Sequence, residues 1–161
     1  MVCIPSSSTT EGHIVKVDER AALRILVVDD DDADALMIEE ALEAADRPAV
    51  VDRVADGREA LRYLRQEDEH ASAERPDIVL LDLNMPGMHG REVLSEIKSD
   101  RDLTAIPVVV LTTSGEAADI VESYRHQASA YVTKPIDLDS FEAVVREINR
   151  FYRDTAVLPR G

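Results

Sequence analysis

Residues 23–36 read LRILVVDDDDADAL. Five apolar residues, Leu23, Ile25, Leu26, Val27 and Val28, run straight into the carboxylates Asp29, Asp30, Asp31 and Asp32. A short β-branched and leucine-rich run of this kind reads as a buried strand that delivers charge at its tip. Adjacent carboxylates repel and raise one another's pKa unless a positive group stands among them. The stretch therefore predicts a buried sheet and a cation at the end of one strand.

Working outward, strand-like and helix-like segments alternate. Strands are predicted at 24–29, 50–54, 78–82, 108–112 and 130–133, each short and bounded by polar or turn residues. Helices are predicted at 33–45, 57–66, 91–99, 116–127 and 138–152 from apolar residues at helical spacing. The last of these carries the stripe Phe141, Val144, Val145, Ile148, Phe151. Asp56 and Asp137 stand at N-cap positions, and Pro107 and Pro135 punctuate strand boundaries. A β-α unit repeated five times implies a doubly wound α/β fold, a parallel five-stranded sheet with helices on both faces. The expected strand order is 2-1-3-4-5, with ligands bound outside the carboxyl ends of the strands near the switch point. Residues 1–22 are expected to form a flexible polar arm, 23–152 the domain, and 153–161 a C-terminal extension.

Bulk properties narrow the function. The 161 residues carry a formal charge of −15, which opposes nonspecific binding to nucleic acid or anionic membrane. Of the 18 basic residues only 3 are lysine, a bias that either a halophilic host or a GC-rich genome would produce. Cys3 is the single cysteine, so no internal disulfide framework is possible. No apolar run approaches the roughly 18 residues that span a bilayer. The start MVCIPSSSTTEGH lacks the basic and apolar regions of a signal peptide, so a cytoplasmic location is expected. His13, His70, His89 and His126 lack zinc spacing and are expected at the surface.

The predicted strand ends carry the chemistry. The first ends in Asp29 and Asp30, the third (DIVLLDLNMPG) in Asp82, the fourth (IPVVVLTTSG) in Thr112 and Thr113, and the fifth (AYVTKP) in Lys134. Three carboxylates, a hydroxyl and an ammonium thus meet on one rim. Hard oxygen donors that must also admit a phosphate suit Mg²⁺, which keeps several waters. Lys134 adds a point charge, and Thr112 a hydrogen-bond donor. An EF-hand beginning at Asp30 fails, because Ala35 and Ala41 occupy the places that need glycine and glutamate.

The set Asp29-Asp30, Asp82, Thr112 and Lys134-Pro135 resembles the receiver domain of two-component response regulators, a flavodoxin-like fold. The resemblance spans about residues 23–152. It implies that Asp82 is the phosphoacceptor, that Asp29, Asp30, Asp82 and the backbone carbonyl of Asn84 hold Mg²⁺, and that Thr112 and Lys134 contact the phosphoryl group. It also implies that Thr112 and Tyr131 form the conformational switch, Tyr131 being otherwise a packing aromatic. The segments GREALRYLR, DLNMPGMHGREVLSEIKSD and FYRDTAVLP further resemble single-domain regulators paired with cyanobacterial and bacterial phytochromes. That likeness implies a phytochrome-type histidine kinase as partner. It also implies a homodimer through the fourth helix, fifth strand and fifth helix, with help from the C-terminal extension. Gln127 stands where receivers place a glycine, so a strained turn is expected there.

Two other readings remain open at this point. A haloacid-dehalogenase-like phosphohydrolase would use Asp29 as nucleophile and Asp31 as acid/base, with Thr112 and Lys134. A degenerate receiver would serve only as an interaction scaffold. Asp31, Asp32 and Asp34 are expected to act as charges at a helix N-terminus rather than as metal ligands. Val157 and Leu158 have no evident partner within the domain and are assigned, with Tyr152, to a dimer surface.

Overall fold

The computed structural model describes residues 22–159 except residue 46. The N-terminal arm, Cys3 and His13 lie outside the described residues. Five strands, β1 (Arg24–Val28), β2 (Val50–Val54), β3 (Ile78–Leu81), β4 (Val108–Thr112) and β5 (Ala130–Thr133), form one sheet. The order is β2-β1-β3-β4-β5, and every pairing is parallel. The helices are α1 (Asp32–Glu43), α2 (Gly57–Arg65), α3 (Gly90–Ser99), α4 (Ala117–Arg125) and α5 (Leu138–Arg150).

The central strands β1, β3 and β4 bury residues on both faces, and their alternation sorts the core into two halves. Leu26, Val28, Val79, Leu81, Val108 and Val110 meet α2 and α3 through Ala60, Leu61, Val93, Leu94 and Ile97. Ile25, Val27, Ile78, Leu80, Val109 and Leu111 meet α1 and α5 through Ile38, Leu42, Phe141 and Val145. A slip of one residue in any of these strands would exchange the halves.

Helix starts follow capping chemistry. Asp31, Asp56 and Asp137 each accept a hydrogen bond from the amide three residues on, at 3.0, 2.8 and 2.9 Å. At α3, His89 Nδ1 accepts from the Arg91 amide (3.0 Å), and Glu92 accepts from the His89 amide (3.0 Å). The described histidines are thus not simple surface residues. His70 is half-buried against the Tyr63 ring and lies 3.3 Å from Glu59, and His126 bonds the Glu122 carbonyl.

The structure shifts several boundaries by one or two residues, α1 for instance ending at Glu43 rather than at 45, and two of the shifts have a visible cause. The fourth helix stops at Arg125, two residues short of its expected end, because Gln127 takes φ 71°. There the amides of Gln127 and Ala128 bond the Tyr124 and Ser123 carbonyls (3.0 and 2.9 Å), a Schellman closure built without glycine. The fifth helix ends at Arg150, and Phe151–Thr155 widen into a π turn. Beyond that turn the chain folds back. Leu158 and Tyr152 pack on the α1–α5 half of the core, Arg153 reaches the Arg47 carbonyl, and Asp154 lies 3.9 Å from Arg47. Leu158 therefore has the domain partner that sequence reading did not find, whereas Val157 is 97% exposed.

Candidate functional site

β1, β2 and β3 end level, Val28 lying beside Val54 and Leu81, and β4 and β5 run two residues further; the turns that follow present side chains on one rim. The Asp82 amide donates to the Val28 carbonyl (2.9 Å), which sets Asp82 beside the end of β1. One carboxylate oxygen each from Asp29, Asp30 and Asp82 lies within 4.8 Å of the others, the only such acidic or His/Cys trio among the described residues. Asp29 and Asp82 are buried and Asp30 is not. Burial, foremost, pushes the Asp29 carboxyl up, with Asp82 adding repulsion, while Lys134 and the Asp31 amide oppose the rise.

Lys134 follows β5 and is buried. Its Nζ donates to Asp29 Oδ2 and Asp34 Oδ2, both at 2.8 Å, and stands 3.9 Å from Asp82 Oδ2. Burial alone would lower its pKa, but the hydrogen bonds to Asp29 and Asp34 outweigh that and raise it. Thr112 is fully buried at the end of β4. Its Oγ1 lies 3.5 Å from both Asn84 Nδ2 and the Ser114 amide. The Asn84 amide in turn faces Asp82 Oδ1 at 3.4 Å. Tyr131 packs beside the α2–α3 half of the core and donates its hydroxyl to the Ser114 carbonyl at 2.8 Å. Burial, above all, holds its phenol above the ordinary pKa.

The expected residues thus share one rim, with three additions. Asp34 is not merely a charge at the start of α1, since it binds Lys134 across 100 positions of sequence. Arg53 on β2 donates twice to the Asp29 carbonyl (3.0 and 2.8 Å) and pairs with Asp32 at 2.9 Å, bracing the turn that carries the acids. Gly90 lets α3 seat against the loop after Asp82. A Cβ there would collide with the Asp82 carbonyl oxygen and stand 2.6 Å from Leu83 Cα. No local pattern reveals any of the three, because each acts on a residue distant in the chain or on backbone.

The donor set fits a divalent cation: three carboxylate oxygens, close and partly desolvated, with no thiolate or imidazole among them. Asp31, the acid/base of the hydrolase alternative, is spent on the α1 cap and donates its own amide to Asp29 Oδ1 at 2.9 Å.

Comparison with known proteins agrees with this fold. Residues 25–146 match the response regulator receiver domain. Response regulator Rcp1 of Synechocystis sp. is 41% identical over 137 residues, covering 84% of this chain and 92% of the relative. The probable methanogenesis regulatory protein FilR2 of Methanothrix harundinacea is 39% identical, over 80% of this chain and 82% of the relative. The phosphorylated cyanobacterial phytochrome response regulator RcpA superposes with a TM-score of 0.84 at 48% identity, covering 86% of this chain and 99% of that one. The Mn²⁺-bound form of Rcp1 gives a TM-score of 0.81 at 39% identity, with the same coverage. By sequence and fold, this chain belongs to the response regulator receiver family.

Proposed function

We propose that Asp82 is the phosphoacceptor, and that the donor is a histidine kinase of the phytochrome type. The observation that carries this is the grouping of Asp82, at the end of β3, with the acidic pair Asp29-Asp30 and with the Lys134 ammonium 3.9 Å away. An Asp82 carboxylate oxygen attacks phosphorus in line. The bond from phosphorus to the donor nitrogen breaks, and the imidazole leaves with its electron pair. Charge spreads over the equatorial oxygens of the transition state, so the protein's task is positioning and neutralisation. Lys134 supplies one cation, and Thr112 a hydroxyl donor at the buried end of β4. Mg²⁺ held by Asp29, Asp30, Asp82 and the Asn84 carbonyl would supply the remaining positive charge. The phytochrome link is supported by Rcp1 and RcpA, the latter described as a phytochrome response regulator.

The aspartyl phosphate adds a charge of about −1.5 to −2. Thr112 moves toward it, the turn carrying Ser114 follows, and Tyr131 gives up its bond to the Ser114 carbonyl. The surface of α4, β5 and α5 changes accordingly. Val121 and Tyr124 on α4 are about half exposed, at 46% and 51%, and Leu138 opens α5 at 56%. We assign this face, together with Val157 of the extension, to a homodimer contact in a cytoplasmic signalling protein.

The test is incubation with acetyl phosphate and Mg²⁺. Phosphate is expected on Asp82 alone, absent in Asp82→Asn and reduced in Asp29→Asn. Label on Asp29 would instead establish the hydrolase chemistry. Absence of label from any donor would leave a scaffold. Sedimentation of the same samples checks the dimer, which Val121→Asp is expected to split. An unchanged sedimentation coefficient would remove α4 from the contact.

A further inference from the structure

Three carboxylates surround the Lys134 ammonium, and they are not equivalent. Asp29 and Asp82 belong to the acidic trio, so any cation bound there draws on their charge. Asp34 stands outside the trio, on the first turn of α1, with its side chain 25% exposed. Among the described residues it is thus the lysine's one carboxylate partner outside that trio. An ammonium has three N–H donors. Two are committed to Asp29 and Asp34 at 2.8 Å, and Asp82 lies 3.9 Å off. With Asp34 removed, the desolvated ammonium would have only Asp29 and Asp82 to pair with. Direct pairing at Asp82 would occupy the oxygen that must attack phosphorus.

We propose that Asp34 is a positioning residue for phosphoryl transfer: its carboxylate holds the Lys134 ammonium off Asp82 and leaves one N–H for the incoming phosphoryl group. This rests on Asp82 being the phosphoacceptor. What matters is where the acceptor oxygen stands, so two substitutions separate position from charge. Asp34→Asn keeps an oxygen in place without the charge. Asp34→Glu keeps the charge but displaces the oxygen by one methylene.

Acetyl phosphate time courses at saturating Mg²⁺ are read as a maximal rate and a half-saturating donor concentration. Asp34→Asn, whose amide oxygen accepts more weakly than the carboxylate, is expected to lose about threefold in maximal rate, and Asp34→Glu about tenfold. The half-saturating concentration is expected to hold in both. A second readout follows lysine side-chain ¹⁵N resonances in the metal-free protein. Only Lys16, Lys98 and Lys134 contribute, and Lys98, held by the Thr104 and Ile106 carbonyls, is an internal reference. The Lys134 signal is expected to keep its position in Asp34→Asn and to move in Asp34→Glu. A wild-type rate in Asp34→Glu, or a loss beyond tenfold in the isosteric Asp34→Asn, overturns the proposal. Failure of wild-type protein to label at Asp82 would instead strike the phosphoacceptor assignment itself.

Discussion

Gly90 is the residue whose absent side chain the site depends on most. The Gly90 amide donates to the Leu83 carbonyl at 3.0 Å, so α3 begins pressed on the loop that leaves Asp82. A methyl group would meet backbone there, just past the buried end of β3, and closely packed backbone has little room to yield. Gly90→Ala is expected to cost about 2–3 kcal/mol of stability. It should also slow phosphorylation of Asp82 in the fraction that folds. Urea denaturation and acetyl phosphate labelling check both, and wild-type values in each would show that the loop relaxes freely. Asp29, Asp30, Asp82, Thr112 and Lys134 were legible in the sequence because each ends a strand, and strands announce themselves by apolar runs. Asp34, Arg53 and Gly90 were not. Their roles arise between segments, through an ammonium 100 residues away, a carbonyl on the next strand, and a close helix-to-loop approach.

Among the elements, α4 is the least anchored. Ser123 is its one buried residue among those described, and that hydroxyl has no hydrogen-bond partner. Lightly packed segments open at low free energy, and a switch must be drawn from such segments. Its closure at Gln127 adds strain, since a non-glycine residue at φ 71° carries a penalty of about 1 kcal/mol. Gln127→Gly is accordingly expected to raise the unfolding free energy, by less than about 1 kcal/mol because glycine also loses more chain entropy on folding. Urea midpoints at constant m-value measure it, and a lower midpoint would show that the Gln127 side chain contributes packing that outweighs the strain. Among the described residues, sequence periodicity found the five strands and the five α-helices but not the 3₁₀ turn Asp68–His70, and it foresaw the odd residue at 127. It misjudged ends, because apolar spacing continues past the point where hydrogen bonds close. The fifth helix shows this best: Phe151 keeps the stripe going, yet the backbone has already widened into a π turn.

For the molecule as a whole, the charge of −15 and the acidic rim pose separate electrostatic problems. Diffuse repulsion over the surface is screened by any salt, with a Debye length of about 8 Å at physiological strength. The trio Asp29, Asp30 and Asp82 is compact and partly buried, so screening reaches it poorly, and a bound divalent ion relieves it far better. The two contributions separate by experiment. Sodium chloride raised from 0.1 to 1 M is expected to lift the melting temperature of wild type and Asp30→Asn alike. Mg²⁺ at tenfold its dissociation constant is expected to bind only the folded site and to stabilise by about 1.4 kcal/mol. For a chain of this size that corresponds to about 3–6 °C, over and above sodium chloride of equal ionic strength. The increment should shrink sharply in Asp30→Asn, which leaves the surface charge almost unchanged but takes one ligand from the trio. If Mg²⁺ and sodium chloride proved equivalent at matched ionic strength, the acidic rim would be ordinary surface, and the positive charge that the run of aspartates at 29–32 demands would come from Lys134 at Asp29 and Arg53 at Asp32.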